Sequence, residues 1–504
     1  MLRIGSCDLD LNEEFGWLRS ALTLLAIFLS FFVILFSDYI FLPLGAYATQ
    51  RFSLASFMAL LIIVPAVVFL FKPPQFKMFN LRIFVPTLLL VSGFLFSALN
   101  SLGQHYVWVE PGMYAFFFLS VFMFGVFLAC CRWQNSYAML LVVVSTIACC
   151  LYGLNSAVIY SFAVSDGLRG LSNFIPWGFA NVRYWGHIAT WCMPLLPLAI
   201  CVSPLKNNRA WWAFVLVGAG IWWWILFFTA SRGSILGVFF GMTLTGVLFG
   251  KKSLPWLKAS LLCFLSGVIF WCVLSVLVPM FFSDDVQART IKAGDSGRID
   301  LYVEAWNMSL KNFPFGMGVQ SWITHDPITT EYQNSPKFAH PHNMYLMWAA
   351  EYGWFLIAVM IPVVLQAILS FWRRRSQLLE SGGSERLLLL IGFTASVSAA
   401  LFHAGVSAVF MAPASMLVGL WVLSGFWGLV GSESTEFSSH ERLLPPLKAR
   451  VIALGVVGFL IGLWVLWVSE VWLYYKDMRV DESQYDLMSE GVQPRFWLHG
   501  DFPR

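Results

Sequence analysis

The sequence predicts an all-α, polytopic membrane bundle of about 12–13 transmembrane helices, with one long extramembrane loop that carries an interfacial helix. Three observations lead there. Of 504 residues, 59% are hydrophobic and only 12% are charged, about half the charge fraction of a water-soluble domain. Runs matching the roughly 20 apolar residues that a helix needs to cross ~30 Å of hydrocarbon recur along the chain. They fall at 21–37, 53–71, 81–99, 113–131, 137–157, 187–204, 210–230, 234–250, 257–282, 343–371, 386–407, 411–430 and 450–472. The runs are continuously apolar rather than alternating in short segments, which excludes a transmembrane β-barrel.

The first run is expected to remain as an anchor, because Asp8, Asp10, Glu13 and Glu14 precede it where a cleaved leader would carry basic residues. The short loops then alternate in charge. Arg3 and Arg19, Lys72, Lys77 and Arg82, Arg132, Lys206 and Arg209, Lys251, Lys252 and Lys258, Arg373 to Arg375 with Arg386, and Arg442, Lys448 and Arg450 share one alternate set. The positive-inside rule makes that set cytoplasmic. The other set is poor in basic residues, with Arg51 alone between the first two runs and only His105 and Glu110 between the third and fourth. Loop 158–186, the turn at Arg232 and loop 283–342 therefore share the opposite side. All nine cysteines lie in the N-terminal segment or in the runs, so neither a disulfide framework nor a zinc site is indicated. The net charge of +4 reflects topology and makes no case for nucleic acid. Four segments result: helices in 1–282, the loop 283–342, helices in 343–472, and a short tail, 473–504, on the outer side.

Within the long loop, Ile299, Tyr302, Val303, Trp306 and Leu310 recur at helical spacing on one face, which reads as a helix lying in the membrane interface. Asn312 to Gly318 supply the residues that end it. The next span opens at Asn343. Pro341 disfavours helical geometry in the residue before it, so His342 is expected at or just outside the first turn.

Polar residues on the outer side are few. Arg232 sits in Ser231-Arg232-Gly233 between two apolar runs, where an unpartnered arginine at membrane depth costs roughly 2.5 kcal/mol or more. Snorkelling to headgroups competes with a ligand role, but flanking Ser and Gly let a large polyanion approach the backbone. Arg298 opens the interfacial helix, where pairing with Asp300 or Glu304 in water is the simpler role. Arg169 and Arg183 lie in loop 158–186 and His340 and His342 close the long loop. Two histidines two residues apart share no helical face, and without a carboxylate set they make a weak metal site. No metal is expected. Glu351 is out of phase with His342 and is expected to pair elsewhere inside the bundle. His105, His187, His325, His403, His440 and His499 form no cluster in the sequence, which favours structural or surface roles. The arginines suit phosphate oxygens, which the guanidinium fork grips in fixed geometry. An amphiphile with a diphosphate head fits a site walled by apolar spans, a histidine beside it can take a proton from a hydroxyl, and the arginines can meet charge on a departing diphosphate.

Over about residues 170–430 these features resemble the O-antigen ligase and polymerase superfamily of bacterial inner-membrane glycosyltransferases. The motifs are Ser231-Arg232-Gly233 opening a span, Gly297-Arg298 followed by Trp306, Pro314, Gly316 and Gly318, and His342-Asn343 followed after nine residues by Gly353. The resemblance implies an inverting transfer of a glycan from undecaprenyl diphosphate to an acceptor hydroxyl at the periplasmic face, without metal or cofactor. It makes His342 the catalytic base and Arg232 and Arg298 the diphosphate ligands. Arg183, in Asn181-Val182-Arg183-Tyr184, would add to the donor site, with His340 and Asn343 in support. The expected acceptor is lipid A-core, then serine or threonine of a pilin or other periplasmic protein, then a growing polyprenyl-linked chain. A flippase for lipid-linked sugars is the reading from another class; no paired broken helices or inverted halves are apparent to favour it.

Overall fold

The computed structural model describes residues 11–41, 43–71, 81–99, 106–179, 181–282, 297–335, 338–382, 384–431, 447–488 and 495–496. All regular structure within them is helical. In chain order, α1 (Leu11–Phe36), α2 (Ala46–Phe71), α3 (Leu81–Ala98), α4 (Val109–Cys130) and α5 (Gln134–Ser165) precede two shorter helices, α6 (Val182–Cys192) and α7 (Leu196–Val202). Next come α8 (Arg209–Phe228), α9 (Arg232–Phe249), α10 (Leu254–Cys272) and α11 (Val278–Phe282). Beyond the bilayer-length helices lie α12 (Arg298–Lys311) and two single turns, α13 (Ser321–Thr324) and α14 (Thr330–Gln333). The last four are α15 (Met344–Ser381), α16 (Ser384–Ala404), α17 (Pro413–Gly431) and α18 (Leu447–Met488). His105, Asp284, Asp285, Asp295, His440 and His499 fall outside the described residues.

Among the described residues, eleven helical stretches are long and apolar enough to cross a membrane, and Phe84–Ala98 is a shorter apolar helix. The apolar runs of the sequence fall on these, with 234–250 and 257–282 sharing the single stretch Arg232–Phe282. The chain is a multi-pass membrane protein. Two spans are interrupted, although both read as continuous in the sequence. Between α6 and α7 the chain passes through Met193, Pro194 and Leu195, where prolines at 194 and 197 remove helix donors.

The second interruption is at Gly353 of α15, with φ 86° and ψ 165°. Segment Pro314–Gly318 crosses the break and bonds to it: Met317 N donates to Ala350 O (2.8 Å), Gly318 N to Glu351 O (3.0 Å) and Phe355 N to Pro314 O (2.9 Å). The crossing works only between glycines. A Cβ on Gly353 would lie 2.2 Å from Pro314 O, and one on Gly316 would lie 2.5 Å from Gly353 N. Two of the sequence motifs thus meet in space, and their glycines are explained by backbone contact. Gly353→Ala is expected to destabilise the protein by several kcal/mol, combining a backbone clash with a positive φ worth ~1–3 kcal/mol of strain. A clearly lowered melting temperature of detergent-purified protein checks this; an unchanged one contradicts it.

α9 and α16 form another close seam. Gly233, Gly237 and Gly241 recur every fourth residue and face His403, Ala399 and Ala395, so near that a Cβ on Gly237 would lie 2.8 Å from Ala399 O. Small residues at this spacing let helix backbones touch inside lipid, where packing rather than water exclusion drives association. The seam fixes the start of α9, and hence Arg232, against His403.

α12 matches the expected interfacial helix. Its Ile299, Val303, Trp306 and Leu310 remain exposed, whereas Leu301, Ala305 and Met308 pack with Trp322, Tyr332 and Ala350 in a small core of their own. One apolar face is therefore left uncovered by the rest of the described residues. Glu304, considered above as a solvated partner for Arg298, is instead fully buried. It accepts from His325 Nε2 (2.8 Å), Ile328 N (2.7 Å), Thr329 N (2.9 Å) and Thr329 Oγ1 (2.6 Å). Burial would raise its pKa, but these hydrogen bonds outweigh it and hold the carboxyl below its ordinary value. The helix of Arg298 is tied down by this carboxylate, which leaves the arginine itself to other groups.

Candidate active site

His342 lies one residue outside α15. Asn343 is the N-cap, its Oδ1 accepting from Tyr345 N (3.0 Å) and Leu346 N (3.1 Å), so its supporting role is to start the helix. His342 itself has φ 56°, left-handed for a non-glycine residue. Such a conformation persists only when its surroundings impose it. Here they do. The His342 amide donates to His340 Nδ1 (3.0 Å), and Tyr302 Oη donates to His342 O (3.4 Å). Before them, Trp322 Nε1 donates to Phe338 O (2.8 Å) and Arg495 Nη1 to Ala339 O (3.2 Å).

His340 accepts at Nδ1, so its neutral ring carries the proton on Nε2. The two imidazoles stand 4.4 Å apart, centroid to centroid, and Phe338 packs edge-on against His342 at 5.2 Å. Both rings are buried, and His342 Nδ1 has no hydrogen-bond partner among the described residues. Burial, followed by Arg298 and then Arg183, pushes the His342 imidazole down to about 3. His340 is likewise held well below its usual value, by burial and then by His342, Arg495 and the same arginines. At neutral pH both are uncharged, and His342 retains a lone pair that can accept a proton.

Arg298 is the first residue of α12, after Gly297 at φ 71°, and acts electrostatically on the Tyr302 hydroxyl. Arg183 stands exposed at the second position of α6, its amide held by the Asn181 cap (2.9 Å). Arg232 opens α9, half-buried, after a turn in which Ala230 has φ 50°. The structure brings Arg183, Arg298, His340 and His342 within electrostatic reach of one another. Arg232 is not among these groups; its neighbour Gly233 packs on His403, where a Cβ would lie 2.8 Å from His403 Nε2.

His187 and His403, which form no cluster in the sequence, do meet in the fold, where both are buried and hydrogen-bonded. Their rings lie 5.0 Å apart, His187 is within electrostatic reach of His342, and His403 of Arg298. His403 Nδ1 meets Thr190 Oγ1 (2.8 Å), whose single proton goes to Gly186 O (2.8 Å), so Nδ1 is the donor and Nε2 keeps a lone pair facing Gly233. His187 Nε2 meets Ser407 Oγ (2.7 Å). These residues sit on helices far apart in sequence, and only the glycine spacing of α9 hints that something packs there.

A buried charge cluster lies under the His340–His342 loop. Arg495, 1% exposed, donates from Nε to Glu110 Oε1 (2.9 Å) and from Nη2 to Glu110 Oε2 (3.1 Å), and its Nη2 also contacts Glu351. Glu351 Oε1 accepts from Trp322 N (3.0 Å), so it does pair inside the bundle rather than with His342. Glu110, placed by sequence in a short outward loop, is buried in the first turn of α4. Arg51, also buried, holds Arg495 O, Phe496 O and Met411 O and lies over the Phe496 ring, 4.4 Å from its centroid. Two carboxylates and two guanidiniums balance in formal charge. An acid inside an apolar helix signals that a cation must reach it, and Glu351 carries that signal in the sequence. Nothing local marks Arg495.

Fold and site together define a multi-pass membrane protein with a cationic, histidine-bearing site at one end of its bundle. Residues 213–361, which carry Arg232, Arg298, His340, His342 and Gly353, match the family model described as O-antigen ligase. Over that stretch the chain is similar to the O-antigen ligase family, which supports the superfamily resemblance read from the motifs. No curated protein matches the chain.

Proposed function

We propose that this protein is a bacterial inner-membrane glycosyltransferase that moves a glycan from undecaprenyl diphosphate to an acceptor hydroxyl at the periplasmic face, with lipid A-core as the acceptor. The observation that carries the reading is His342: a buried, neutral imidazole, unpartnered at Nδ1 among the described residues, set among Arg298, Arg183 and His187. The short loops on that side are the ones poor in Lys and Arg, which supports the periplasmic placement.

In this reading His342 removes the proton of the acceptor hydroxyl as its oxygen attacks the anomeric carbon. The bond from that carbon to the diphosphate oxygen breaks on the opposite face, so configuration inverts, and the electron pair leaves with undecaprenyl diphosphate. Arg232, Arg298 and Arg183 meet the charge that develops there. Asn343 and His340 hold the loop. No metal takes part, so EDTA leaves the rate unchanged.

Burial, followed by the charges of Arg298 and Arg183, sets the pH dependence. kcat/KM reports the unliganded enzyme, and a base with a pKa of about 3 stays neutral throughout the usual range. The profile should be flat from about pH 8 to about pH 5, where an unshifted imidazole of pKa about 6.5 would already have lost most of its base form. A bound diphosphate favours the cation, so the acid limb of kcat should lie at higher pH than that of kcat/KM. An acid limb near 6.5 in kcat/KM contradicts the assignment.

The function is tested in a deletion strain examined by lipopolysaccharide gel and by intact pilin mass. Loss of the ladder supports ligation; an intact ladder with a lighter pilin moves the acceptor to protein. Movement of donor across proteoliposomes in the absence of acceptor, with no transfer when acceptor is supplied, replaces the enzyme by a flippase.

A further inference from the structure

A cavity of about 400 Å³ opens beside the candidate site, lined by Asp38, Tyr47, Gln50, Trp177 and Tyr184 among others. Its walls come from the C-terminal end of α1, the N-terminal ends of α2, α6 and α17, and the loop before α6. By the alternation of the spans, these ends all lie on the side of Arg232 and His342. Two contacts join the cavity to the site. The Tyr184 ring packs on His187 at 5.6 Å, and the Tyr47 hydroxyl donates to Arg495 O (3.2 Å), whose guanidinium pins Ala339.

The hydrogen-bonding character of the lining is one-sided. The Gln50 amide nitrogen donates to Ile34 O (3.3 Å) and Ser37 Oγ (3.4 Å), which leaves its carbonyl oxygen as an acceptor. The Tyr47 proton is spent on Arg495 O, and its oxygen lies beside the Arg51 guanidinium. Asp38 adds its carboxyl oxygens. Gln50 and Asp38 therefore call for a ligand rich in donors. The rest of the wall is aromatic, with Trp177 and Phe174 substantially exposed. Trp177 is on a braced loop, its carbonyl accepting from Tyr152 Oη (2.6 Å).

We propose that this cavity is a saccharide subsite. Sugar rings combine hydroxyl donors with apolar faces that stack on aromatic rings. The volume lies in the lower part of the ~300–1,000 Å³ range of small-molecule sites and far exceeds the needs of a lone ammonium group. The ring held there belongs to the donor glycan or to a carbohydrate acceptor, and the inference rests on the glycosyl-transfer reading.

The test uses the full chain in detergent. Saturation-transfer-difference NMR with galactose, rhamnose and N-acetylglucosamine as probes should give signals from at least one sugar. Trp177→Ala and Asp38→Asn, both at accessible positions, should each weaken that binding about tenfold, the loss expected for one stacking or charge-assisted contact. In the transfer assay the same variants should raise the KM for the glycan-loaded donor if the donor's ring is bound, or the KM for a carbohydrate acceptor if that ring is bound. Either outcome supports the subsite. Absence of sugar signals, sugar binding unaffected by both variants, or displacement of the sugar by tetramethylammonium overturns it. Sugar binding that depends on Trp177 in a protein with no transfer activity would sustain the subsite while removing the transferase reading.

Discussion

Replacing His342 with alanine is expected to lower transfer by about 10²–10⁴-fold, the usual contribution of a positioned general base. The informative companion is His342→Asn. Asparagine tolerates the left-handed backbone of this position better than most residues, so it preserves the loop while removing the base. Both variants should insert and purify normally, and donor KM should stay near that of the parent. Arg232→Ala should lose a comparable factor for a different reason, since it removes a cation from the departing diphosphate. Purified protein with lipid-linked donor in nanodiscs measures all three. Full activity of His342→Asn would remove the imidazole from the chemistry.

Arg495→Met is expected to be the most destabilising substitution of a single side chain. It leaves Glu110 and Glu351 facing each other without their cation, and breaking a buried ion pair from one side costs about 3–5 kcal/mol. Combining it with Glu351→Gln restores the charge balance and should recover a large part of the stability, because the remaining Glu110 still has Arg51 nearby in the cluster. Apparent melting temperature in detergent reads both. The single variant should also transfer slowly, because the Ala339 carbonyl loses its anchor one residue before His340, whose Nδ1 accepts from the His342 amide. Equal melting temperatures for parent and Arg495→Met would show that the cluster carries no stability.

Elements written in local pattern were legible in the sequence. The spans follow from the length of apolar runs, and α12 from the spacing of Ile299, Val303, Trp306 and Leu310, which the fold leaves facing outward. The place of His342 just ahead of a helix follows from Pro341 and Asn343. What stayed hidden depends on contacts between distant segments. His187 and His403 read as isolated because no periodicity links α6 to α16; the α9 glycines that join them had a packing meaning only once both partners were known. The match of Gly316 to Gly353 was visible as two motifs but not as one contact. Glu304 illustrates an opposite error, since a carboxylate on the same short amphipathic segment as Arg298 looks like its partner until Thr329 and His325 are seen to occupy it. The breaks at Pro194 and Gly353 were masked by uninterrupted hydropathy.

The ion pair between Glu110 and Arg495 spans 385 positions. During synthesis the carboxylate emerges long before its guanidinium, so α4 is made without the cation that its buried carboxylate needs. Assembly of this bundle therefore has a late step, in which the arrival of one arginine converts a loosely joined set of helices into a closed one and sets the loop bearing His342 in its final shape.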